Sequence, residues 1–376
     1  MLASQLLNEC AKAGITFYTG VPDSFLKGLC DELYDRYGTD GISHIVAHNE
    51  GGAIALCAGH YLASGKPALC YMQNSGLGNT VNPLTSLMDL KVYAVPCLLV
   101  IGWRGEPGTK DEPQHIKQGA VTLQQLELLE IPFEILSTDV QENEFSELFS
   151  RLLGHMNKGS VAALVVRKGA LTSDKTPCYP NKPGQSREDA AQMILQASGP
   201  SDIFVSTTGK LSREIYELRE KNGQDHSHDF LTVGSMGHAS MIALRIAEER
   251  RDRRIWCLDG DGALLMHLGA LPVIGQRSPE NLIHVVINNS AHETVGGMPV
   301  CSGALKAAEM ARVSGYRSVL YADTAETLQK ALKELPSLHG PVFLEIRCSC
   351  GSRPNLGRPV STPLQNRNAF MDFLNS

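Results

Sequence analysis

The sequence predicts two α/β domains, each built on a doubly wound parallel sheet with helices on both faces. Twelve short apolar runs rich in β-branched residues recur along the 376 residues, and segments with helical spacing of apolar residues lie between them. Continuous apolar strands of this kind are typical of parallel sheets that are buried on both faces. A polar stretch without periodicity, Leu171 to Asp189, separates the first six runs from the last six, which predicts an inter-domain linker.

The first predicted domain covers residues 1–170. Its opening segment, MLASQLLNECAKAGI, has apolar residues at helical spacing, contains Glu9 and lacks the basic flank and apolar core of a signal peptide. The first domain is therefore expected to start with a helix. Its six predicted strands are ITFYTG, HIVAH, ALCYMQ, VPCLLVIG, FEIL and VAALVVRKG.

The second predicted domain covers residues 190–376, and no further domain is expected between the two. Its six predicted strands are DIFVSTTG, FLTVG, RIWCLDG, LIHVVINN, SVLYA and VFLEIRC. The two domains resemble each other weakly, because ALCYMQNSGLGN and RIWCLDGDGALL both read as a strand, a glycine turn and a helix. Ligands of such sheets bind at the carboxyl ends of the strands, so both glycine turns are candidate sites.

The composition excludes several functional classes. A net charge of −6 argues against a broad surface for nucleic acid and favours a small substrate. Ten cysteines without CxxC pairs indicate reduced thiols in a cytoplasmic protein, with metal binding at Cys348 and Cys350 as the alternative. The longest apolar run, VYAVPCLLVIGW, is interrupted by Pro96 and is too short to cross a bilayer.

The stretch IWCLDGDGALLMH places Asp261 between two glycines at the end of a predicted strand and the start of a helix. The N–H groups of a helix N-terminus attract anions, whereas a carboxylate repels them. A hard cation such as Mg²⁺ between Asp261 and an anionic ligand resolves this conflict. The alternative is that Asp261 simply caps the helix.

The next strand ends in Asn288 and Asn289, and Asn289 lies 28 positions after Asp261 (289 minus 261). One crossover helix fits this interval, so the two strand ends are expected to lie side by side. Carboxylate, amide and backbone oxygens are ligands that Mg²⁺ prefers. Pro272 lies in the crossover segment, where it is expected to kink the helix.

The GDG motif followed at this interval by NN resembles the diphosphate-binding motif of thiamine diphosphate enzymes. The resemblance implies that Asp261, Asn289 and the carbonyl of Ala291 hold Mg²⁺. It also implies that Gly260, Gly262 and Ala263 contact the thiamine diphosphate.

The segment HIVAHNEGGAIALCAGHYLASGK contains Glu50, which on its own is an ordinary carboxylate in the first turn of a helix. The segment is similar to the one that carries the catalytic glutamate of thiamine diphosphate enzymes, and Glu50 would then contact the aminopyrimidine ring. The first domain would be the pyrimidine-binding (PYR-type) domain and the second the diphosphate-binding (PP-type) domain. In this family the two half-sites come from different subunits, which implies a homo-oligomer, a dimer at least.

Two further segments fit this family. TVGSMGHAS offers Ser235 and Met236 to the diphosphate, although a plain strand-to-helix turn explains the segment nearly as well. VSTTGKLSRE would place the Gly209 carbonyl at the pyrimidine amine and Leu211 as an apolar wedge under the cofactor. The alternative for Leu211 is a simple core residue.

Most thiamine diphosphate decarboxylases carry a third α/β domain between these two, and here there is only a short linker. The chain resembles the phosphonopyruvate decarboxylase family over nearly its whole length, through GVPDSFLKGL, MQNSGLGNTVNPLTSL, GWRGEPGTKDEPQH and SRPNLGRPVSTPLQN. The resemblance implies decarboxylation of 3-phosphonopyruvate to phosphonoacetaldehyde and CO₂, in phosphonate biosynthesis.

Three alternatives to this function stay open. The first is the same reaction on 3-sulfopyruvate, since sulfopyruvate decarboxylases share the two-domain form. The second is a non-catalytic subunit of the same fold, which would have lost Glu50 or the pair Asp261 and Asn289, yet all three are present. A carboligase is the third, and those enzymes usually carry the middle domain that is missing here.

An anionic substrate needs local cations on an acidic protein. The loop GWRGEPGTKDEPQHIKQG supplies Arg104 and Lys110, and its glycines predict a loop that closes over the substrate. Lys27 is a further candidate for the substrate anion. Arg213, Arg353 and Arg358 are rivals, and each of these cations could also be an ordinary solvated surface charge.

Three residues are candidates for proton transfer. Asp23, in GVPDS, occupies the position where related decarboxylases have a carboxylate that handles the intermediate, although an Asp after Pro22 is also a common turn residue. His115 and His292 are candidates because the ordinary pKa of histidine suits protonation near neutral pH.

Overall fold

The computed structural model describes residues 1–39, 41–182, 184–301 and 305–376, and the chain divides into two compact units. The first unit contains Met1–Tyr179 and the segment Thr294–Cys301; the second contains Pro180–Glu293 and the chain after Cys301. The boundary at Tyr179 lies within the segment predicted as a linker. The grouping of Thr294–Cys301 with the first unit was not predicted.

The first unit is built on a parallel sheet of six strands, as the apolar runs predict. The strands are β1 (Tyr18–Gly20), β2 (His44–Val46), β3 (Ala68–Gln73), β4 (Cys97–Gly102), β5 (Phe133–Leu136) and β6 (Val161–Val166). Their order across the sheet is β2-β1-β3-β4-β6-β5, and every pairing is parallel.

Helices cover both faces of this sheet. They are α1 (Ala3–Lys12), α2 (Lys27–Tyr37), α3 (Glu50–Ser64), α4 (Leu77–Pro83), α5 (Pro113–Leu128) and α6 (Glu142–Met156). Apolar side chains of α1, α2 and α6, such as Leu6, Leu29 and Phe149, join one buried cluster. Those of α3 and α5, such as Ile54 and Leu126, join another, so the first sheet is doubly wound.

The second unit contains the other six-stranded parallel sheet. In chain order the remaining strands of the chain are β7 (Ile203–Ser206), β8 (Asp229–Leu231), β9 (Ile255–Gly260), β10 (Leu282–Asn288), the two-residue β11 (Ala291–His292) and β12 (Met298–Pro299), β13 (Ser318–Ala322) and β14 (Val342–Arg347). Of these, β12 lies in the segment that groups with the first unit. The order in the large sheet is β13-β14-β10-β9-β7-β8. The dipeptides β11 and β12 were not predicted, because two residues carry no periodicity.

The helices of this unit also lie on two faces. They are α7 (Arg187–Ala197), α8 (Lys210–Lys221), α9 (Ala239–Glu249), α10 (Asp261–Met266), α11 (Ala270–Arg277), α12 (Ala307–Val313), α13 (Ala325–Glu334) and α14 (Pro363–Asn375). Residues of α7, α8 and α13 share one apolar cluster, and residues of α9, α11, α12 and α14 share the other. The predicted fold class, two doubly wound α/β domains without a middle domain, is confirmed.

Two local expectations were wrong. Pro272 does not kink a helix: the crossover is already divided into α10 and α11, and Pro272 lies in the first turn of α11, where its missing N–H would have no partner. The predicted linker is also too long, because α7 begins at Arg187 and the Ser186 hydroxyl accepts a hydrogen bond from the Asp189 N–H at 3.0 Å. Within the described part of the chain, no helix is long and apolar enough to cross a membrane.

Candidate active site

The first unit gathers its predicted site residues at one edge of the sheet. Strands β2, β1, β3 and β4 are consecutive neighbours, and all four end at this edge because they are parallel. Asp23 follows β1, Glu50 follows β2, and Arg104 follows β4. The sequence motif NSGLGN follows β3 and lies between them.

Glu50 is the first residue of α3 and is only 4% exposed. Its Oε2 accepts a hydrogen bond of 2.7 Å from the Asn79 side-chain amide. On the other side, a Cβ atom at Gly76 would lie 2.5 Å from Glu50 Oε1, so only glycine leaves room for the carboxylate. The carboxylate is therefore held in one position by Asn79 and by the close approach of Gly76.

Asp23 is held in a similar way. It is 3% exposed, its Oδ1 accepts a hydrogen bond of 2.6 Å from Gln73 Nε2, and its Oδ2 accepts one of 2.8 Å from the Phe25 N–H. A Cβ atom at Gly102 would lie 2.5 Å from Oδ2. Burial raises the pKa of Asp23, and this effect outweighs the hydrogen bonds from Gln73 and Phe25, which lower it. A carboxyl with a raised pKa can exchange a proton closer to neutral pH.

Arg104 is paired inside its own loop. Its Nε and Nη2 donate to the two carboxylate oxygens of Asp111 at 2.8 and 2.5 Å, and its guanidinium lies 4.6 Å from the Phe25 ring centre. Asp111 also accepts a hydrogen bond of 2.9 Å from the Gly105 N–H. Burial alone would raise the pKa of Asp111, but these hydrogen bonds and the charge of Arg104 hold it well below its usual range. The positive charge of Arg104 is thus largely compensated.

The other candidate cations of this unit differ in their surroundings. Lys27 is exposed and forms an ion pair with Asp31. Lys110 is exposed and has no ion pair with another described residue. His115 is buried, and its Nδ1 has no hydrogen-bond partner within the described ranges. Burial, followed by the charge of Arg104, lowers the pKa of His115, so its ring is neutral at pH 7.

The second unit collects the predicted cofactor-binding residues at the corresponding edge of its sheet. Strands β10, β9, β7 and β8 are neighbours and parallel, so the residues that follow them share one edge. Gly209 and Leu211 follow β7, and Ser235 and Met236 follow β8. The last residue of β9 is Gly260, and Asn289 directly follows β10.

The predicted metal ligands fit a hard cation in chemical type. Asp261 is 3% exposed and opens α10, one residue beyond the pairing of Gly260 with Ile287. Asn289 is half-buried, and its Oδ1 accepts a hydrogen bond of 3.1 Å from the N–H of Ala291. A carboxylate, an amide oxygen and a backbone carbonyl are the donor set that Mg²⁺ prefers.

The glycine turns of this edge leave space that side chains would fill. Gly209 has a φ of 101°, a conformation that favours glycine. A Cβ atom at Gly262 would lie 3.2 Å from the terminal methyl of Met236. Ser235, with a φ of 52°, is exposed beside them, and Ala263 is buried.

Leu211 is 3% exposed and belongs to the apolar cluster that α7, α8 and α13 share. This placement agrees with the simpler interpretation of Leu211 as a core residue, and its contact with a cofactor stays a prediction. His292 has a buried Nε2 without a hydrogen-bond partner in the described structure, and burial lowers its pKa to about 4. The His292 ring is therefore uncharged at neutral pH.

Two of the rival cations, Arg213 and Arg353, bond other groups of the second unit. Arg213 Nε donates to the Gly357 carbonyl at 2.6 Å. Arg353 Nε donates to the Glu188 carboxylate at 2.9 Å, and Arg353 also pairs with Glu217. Arg358 is exposed. Arg213 and Arg353 therefore attach the segment after β14 to α7 and α8.

Sequence reasoning missed several neighbours of these sites. Asn79, Gln73 and Asp111 each bond a predicted residue, and their proximity depends on strand order, which no local motif encodes. Cys350 was considered only together with Cys348, as an alternative metal-binding pair, yet its Sγ lies 3.3 Å from the Asn289 carbonyl oxygen. Burial and the negative charge of Asp261 raise the pKa of Cys350, which keeps its thiol protonated.

Comparisons with known proteins identify a domain in each unit. Residues 1–128 match the thiamine pyrophosphate enzyme N-terminal TPP binding domain. Residues 207–346 match the thiamine pyrophosphate enzyme C-terminal TPP binding domain. Thiamine pyrophosphate is another name for thiamine diphosphate, so each unit carries one of the two cofactor-binding domains that the resemblance implies.

Full-length relatives narrow the family. The chain is 34% identical to a phosphonopyruvate decarboxylase of Streptomyces viridochromogenes, over 99% of this chain and 94% of the relative. It is 33% identical to a phosphonopyruvate decarboxylase of Streptomyces hygroscopicus, over 99% and 93%. It is 26% identical to a sulfopyruvate decarboxylase of Methanosarcina acetivorans, over 93% and 92%. The chain therefore belongs to the thiamine pyrophosphate enzymes, in the decarboxylase family that includes phosphonopyruvate decarboxylase.

Proposed function

We propose that this enzyme uses thiamine diphosphate and Mg²⁺ to decarboxylate 3-phosphonopyruvate to phosphonoacetaldehyde and CO₂. One observation carries the choice of substrate: the two relatives named phosphonopyruvate decarboxylase are 33% and 34% identical over 99% of the chain. The sulfopyruvate decarboxylase is 26% identical over 93%. The product aldehyde would enter phosphonate biosynthesis.

The cofactor and the metal would be held mainly by the second unit. When bound, thiamine diphosphate supplies an electron sink for the charge that remains as CO₂ leaves. In this proposal Asp261, Asn289 and the Ala291 carbonyl bind Mg²⁺. The remaining contacts of the cofactor would come from Gly209, Leu211, Ser235, Met236, Gly260, Gly262 and Ala263. The hard oxygen donors and the glycine turns described above support this assignment.

Glu50 would share a proton with the aminopyrimidine ring. This role requires a carboxylate at a fixed position in a site that excludes water, and Glu50 is 4% exposed and bonded to Asn79 at 2.7 Å. Asp23 would exchange a proton during product formation, which its raised pKa supports. His115 and His292 are neutral, so each would donate or accept a hydrogen bond rather than supply a positive charge.

The substrate anion would be bound by Lys110, Lys27 and Arg104. Lys110 is the most available of the three, because Arg104 is compensated by Asp111 and Lys27 by Asp31. An anion that displaces Asp111 from Arg104 would meet a bidentate donor. Recognition by Arg104 therefore requires a rearrangement of the loop, whereas recognition by Lys110 does not.

The enzyme would be a homo-oligomer, a dimer at least, with active sites at the subunit interface. A test is to mix two inactive variants, Glu50→Gln and Asp261→Asn. If Glu50 and Asp261 of one site come from different chains, hybrid dimers contain one intact site and activity returns on mixing. If both residues of a site belong to one chain, no hybrid is active and the proposed sharing is wrong.

The same reaction on 3-sulfopyruvate is the second candidate, because the relative from Methanosarcina acetivorans matches along most of the chain. The test measures release of CO₂ and aldehyde from each acid by the purified enzyme, with and without thiamine diphosphate and Mg²⁺. We expect the higher kcat/KM on phosphonopyruvate. Preference for sulfopyruvate would assign the second function, and turnover of neither acid would indicate a non-catalytic subunit.

A further inference from the structure

A cluster of three possible metal ligands lies inside the sheet of the second unit, beneath the turn that carries Asp261. Cys257 and Asp259 are two residues apart on β9, and His284 lies opposite Cys257 on β10, so all three side chains share one face. None of the three has any solvent exposure. The Cys257 sulfur, a carboxylate oxygen of Asp259 and a ring nitrogen of His284 all lie within 4.8 Å of one another.

Two atoms of this cluster lack hydrogen-bond partners within the described structure. They are Asp259 Oδ2 and His284 Nε2, which lie 3.5 Å apart. A charge-assisted hydrogen bond would bring them to about 2.7–2.9 Å. Donor atoms that bind one zinc ion at about 2.0–2.3 Å in a tetrahedron are about 3.3–3.8 Å from each other. The separation is thus too long for an ion pair with a hydrogen bond and suits two ligands of one metal ion.

The other polar atom of each of these two side chains, His284 Nδ1 and Asp259 Oδ1, has a hydrogen-bond partner. His284 Nδ1 lies 2.9 Å from the Tyr316 hydroxyl, and Asp259 Oδ1 accepts a hydrogen bond of 2.9 Å from the Gly260 N–H. Metal-bound histidines and carboxylates are typically oriented by hydrogen bonds of this kind on the side away from the metal. Nε2 and Oδ2 are therefore turned toward the centre of the cluster.

The charge of the cluster also calls for a cation. A carboxylate without solvent exposure is costly unless it is compensated, and within the described chain Asp259 is paired only with the His284 ring, which carries a charge only when protonated. A divalent ion with one thiolate and one carboxylate has zero net charge, which suits a dry core. Sulfur, nitrogen and oxygen donors together favour zinc over the Mg²⁺ expected at Asp261.

We propose that Cys257 Sγ, Asp259 Oδ2 and His284 Nε2 bind a structural zinc ion that ties β9 to β10 beneath the turn carrying Asp261. On binding, Cys257 loses its thiol proton to water as the sulfur–zinc bond forms, and no atom changes oxidation state. The three side chains supply three of the four tetrahedral ligands that zinc takes. Through the bond between Asp259 and the Gly260 N–H, the ion would stiffen the start of α10.

The test is the metal content of the enzyme, measured by mass spectrometry after expression with added zinc and washing with EDTA. Because the ligands are fully buried, the ion is acquired during folding, and the wash removes only surface metal. We expect one zinc per chain in the wild type and in Cys97→Ser, which changes another buried strand cysteine. Cys257→Ser should lose the zinc. Zinc retained by Cys257→Ser, or absent from the wild type, would overturn the site.

A second measurement covers the case in which Cys257→Ser does not fold. The wild type is expressed with Co²⁺ in place of zinc, and its near-ultraviolet spectrum is recorded. A thiolate-to-cobalt absorption band is expected. A cobalt-free or band-free protein would contradict the proposal. Neither measurement uses thiamine diphosphate or substrate. Failure of the zinc proposal therefore does not bear on the decarboxylase function.

Discussion

Substitution of Gly76 by alanine should displace the carboxylate of Glu50 without removing any polar group. Gly76 has a φ of −70°, which alanine adopts without strain. Its added Cβ atom would lie 2.5 Å from both Cγ and Oε1 of Glu50. The substitution therefore acts on the position of Glu50 rather than on its chemistry.

The structure sets the size of this displacement. Ordinary contact begins at 3.4 Å, so the Glu50 side chain must move by about 0.9 Å (3.4 minus 2.5) or the turn must give way. Such a shift disrupts the 2.7 Å hydrogen bond between Glu50 and Asn79. Misplacement of a reacting group by about 1 Å costs on the order of 100-fold in rate, and we expect a loss of this size.

The assay is hydrogen–deuterium exchange at the C2 position of bound thiamine diphosphate, followed by rapid acid quench and NMR. In the proposed mechanism this readout depends on Glu50 but not on substrate binding. Gly78→Ala is the matched control, because Gly78 is two residues away in α4, is exposed, and has nothing within 4 Å of an added Cβ. Gly78→Ala should exchange at the wild-type rate and stabilise the fold by about 0.5–1 kcal/mol, since alanine is the better helix former.

A double variant separates a local effect from general damage. Glu50→Gln alone should bind thiamine diphosphate and exchange slowly, and Gly76→Ala added to it should slow the exchange no further. If Gly76→Ala exchanged at the wild-type rate, the reaction would not depend on the position of the Glu50 carboxylate seen in this structure, and the prediction would be wrong. A further loss in the double variant would show that Gly76→Ala acts through some other group.

Three other predictions follow from the remaining groups. Asp261→Ala and Asn289→Ala should each weaken Mg²⁺ and thiamine diphosphate binding together in calorimetry, and excess Mg²⁺ should rescue only the asparagine variant, which keeps the charged ligand. Lys110→Ala should raise the KM for phosphonopyruvate by on the order of 10-fold or more and leave thiamine diphosphate affinity unchanged. Burial lowers the pKa of His44 from 6.5 to about 4, so its contribution to folding stability should be constant above pH 6.5 and fall between pH 6.5 and 4 by up to about 3 kcal/mol; in urea unfolding, His44→Gln should therefore lose about 3 kcal/mol less than the wild type over this range.

The strands and their parallel arrangement were predictable from the sequence alone. Segments such as Ala68–Gln73 and Ser318–Ala322 match the predicted strands residue for residue, because apolar runs in a parallel sheet are bounded by glycines or polar turns. Boundaries failed where a side chain caps a helix. Ser186 starts α7 inside a stretch whose composition is typical of a linker, and a single capping hydrogen bond leaves no trace in periodicity.

The site was predictable in part and for a different reason. Glu50, Asp261 and Asn289 were proposed from motifs and from resemblance, and motifs report what lies close in sequence. Asp111 illustrates what they omit. Asp111 pairs with Arg104 and compensates the positive charge of that guanidinium. The pairing depends on how the chain between residues 104 and 111 turns back on itself.

The same device positions Glu50 and Asp23, two of the buried acids of the first unit. At each acid a glycine at or just after a neighbouring strand end stands so close that a Cβ atom would lie 2.5 Å from a carboxylate oxygen: Gly76 at Glu50, and Gly102 at Asp23. A glycine there allows the backbone to lie against the acid and exclude water. The close backbone then disfavours any other position of the carboxylate. Replacing the acid tests whether the carboxyl is needed. Replacing the glycine tests where the carboxyl must be. Dependence on position distinguishes a catalytic carboxylate from one that only caps a helix.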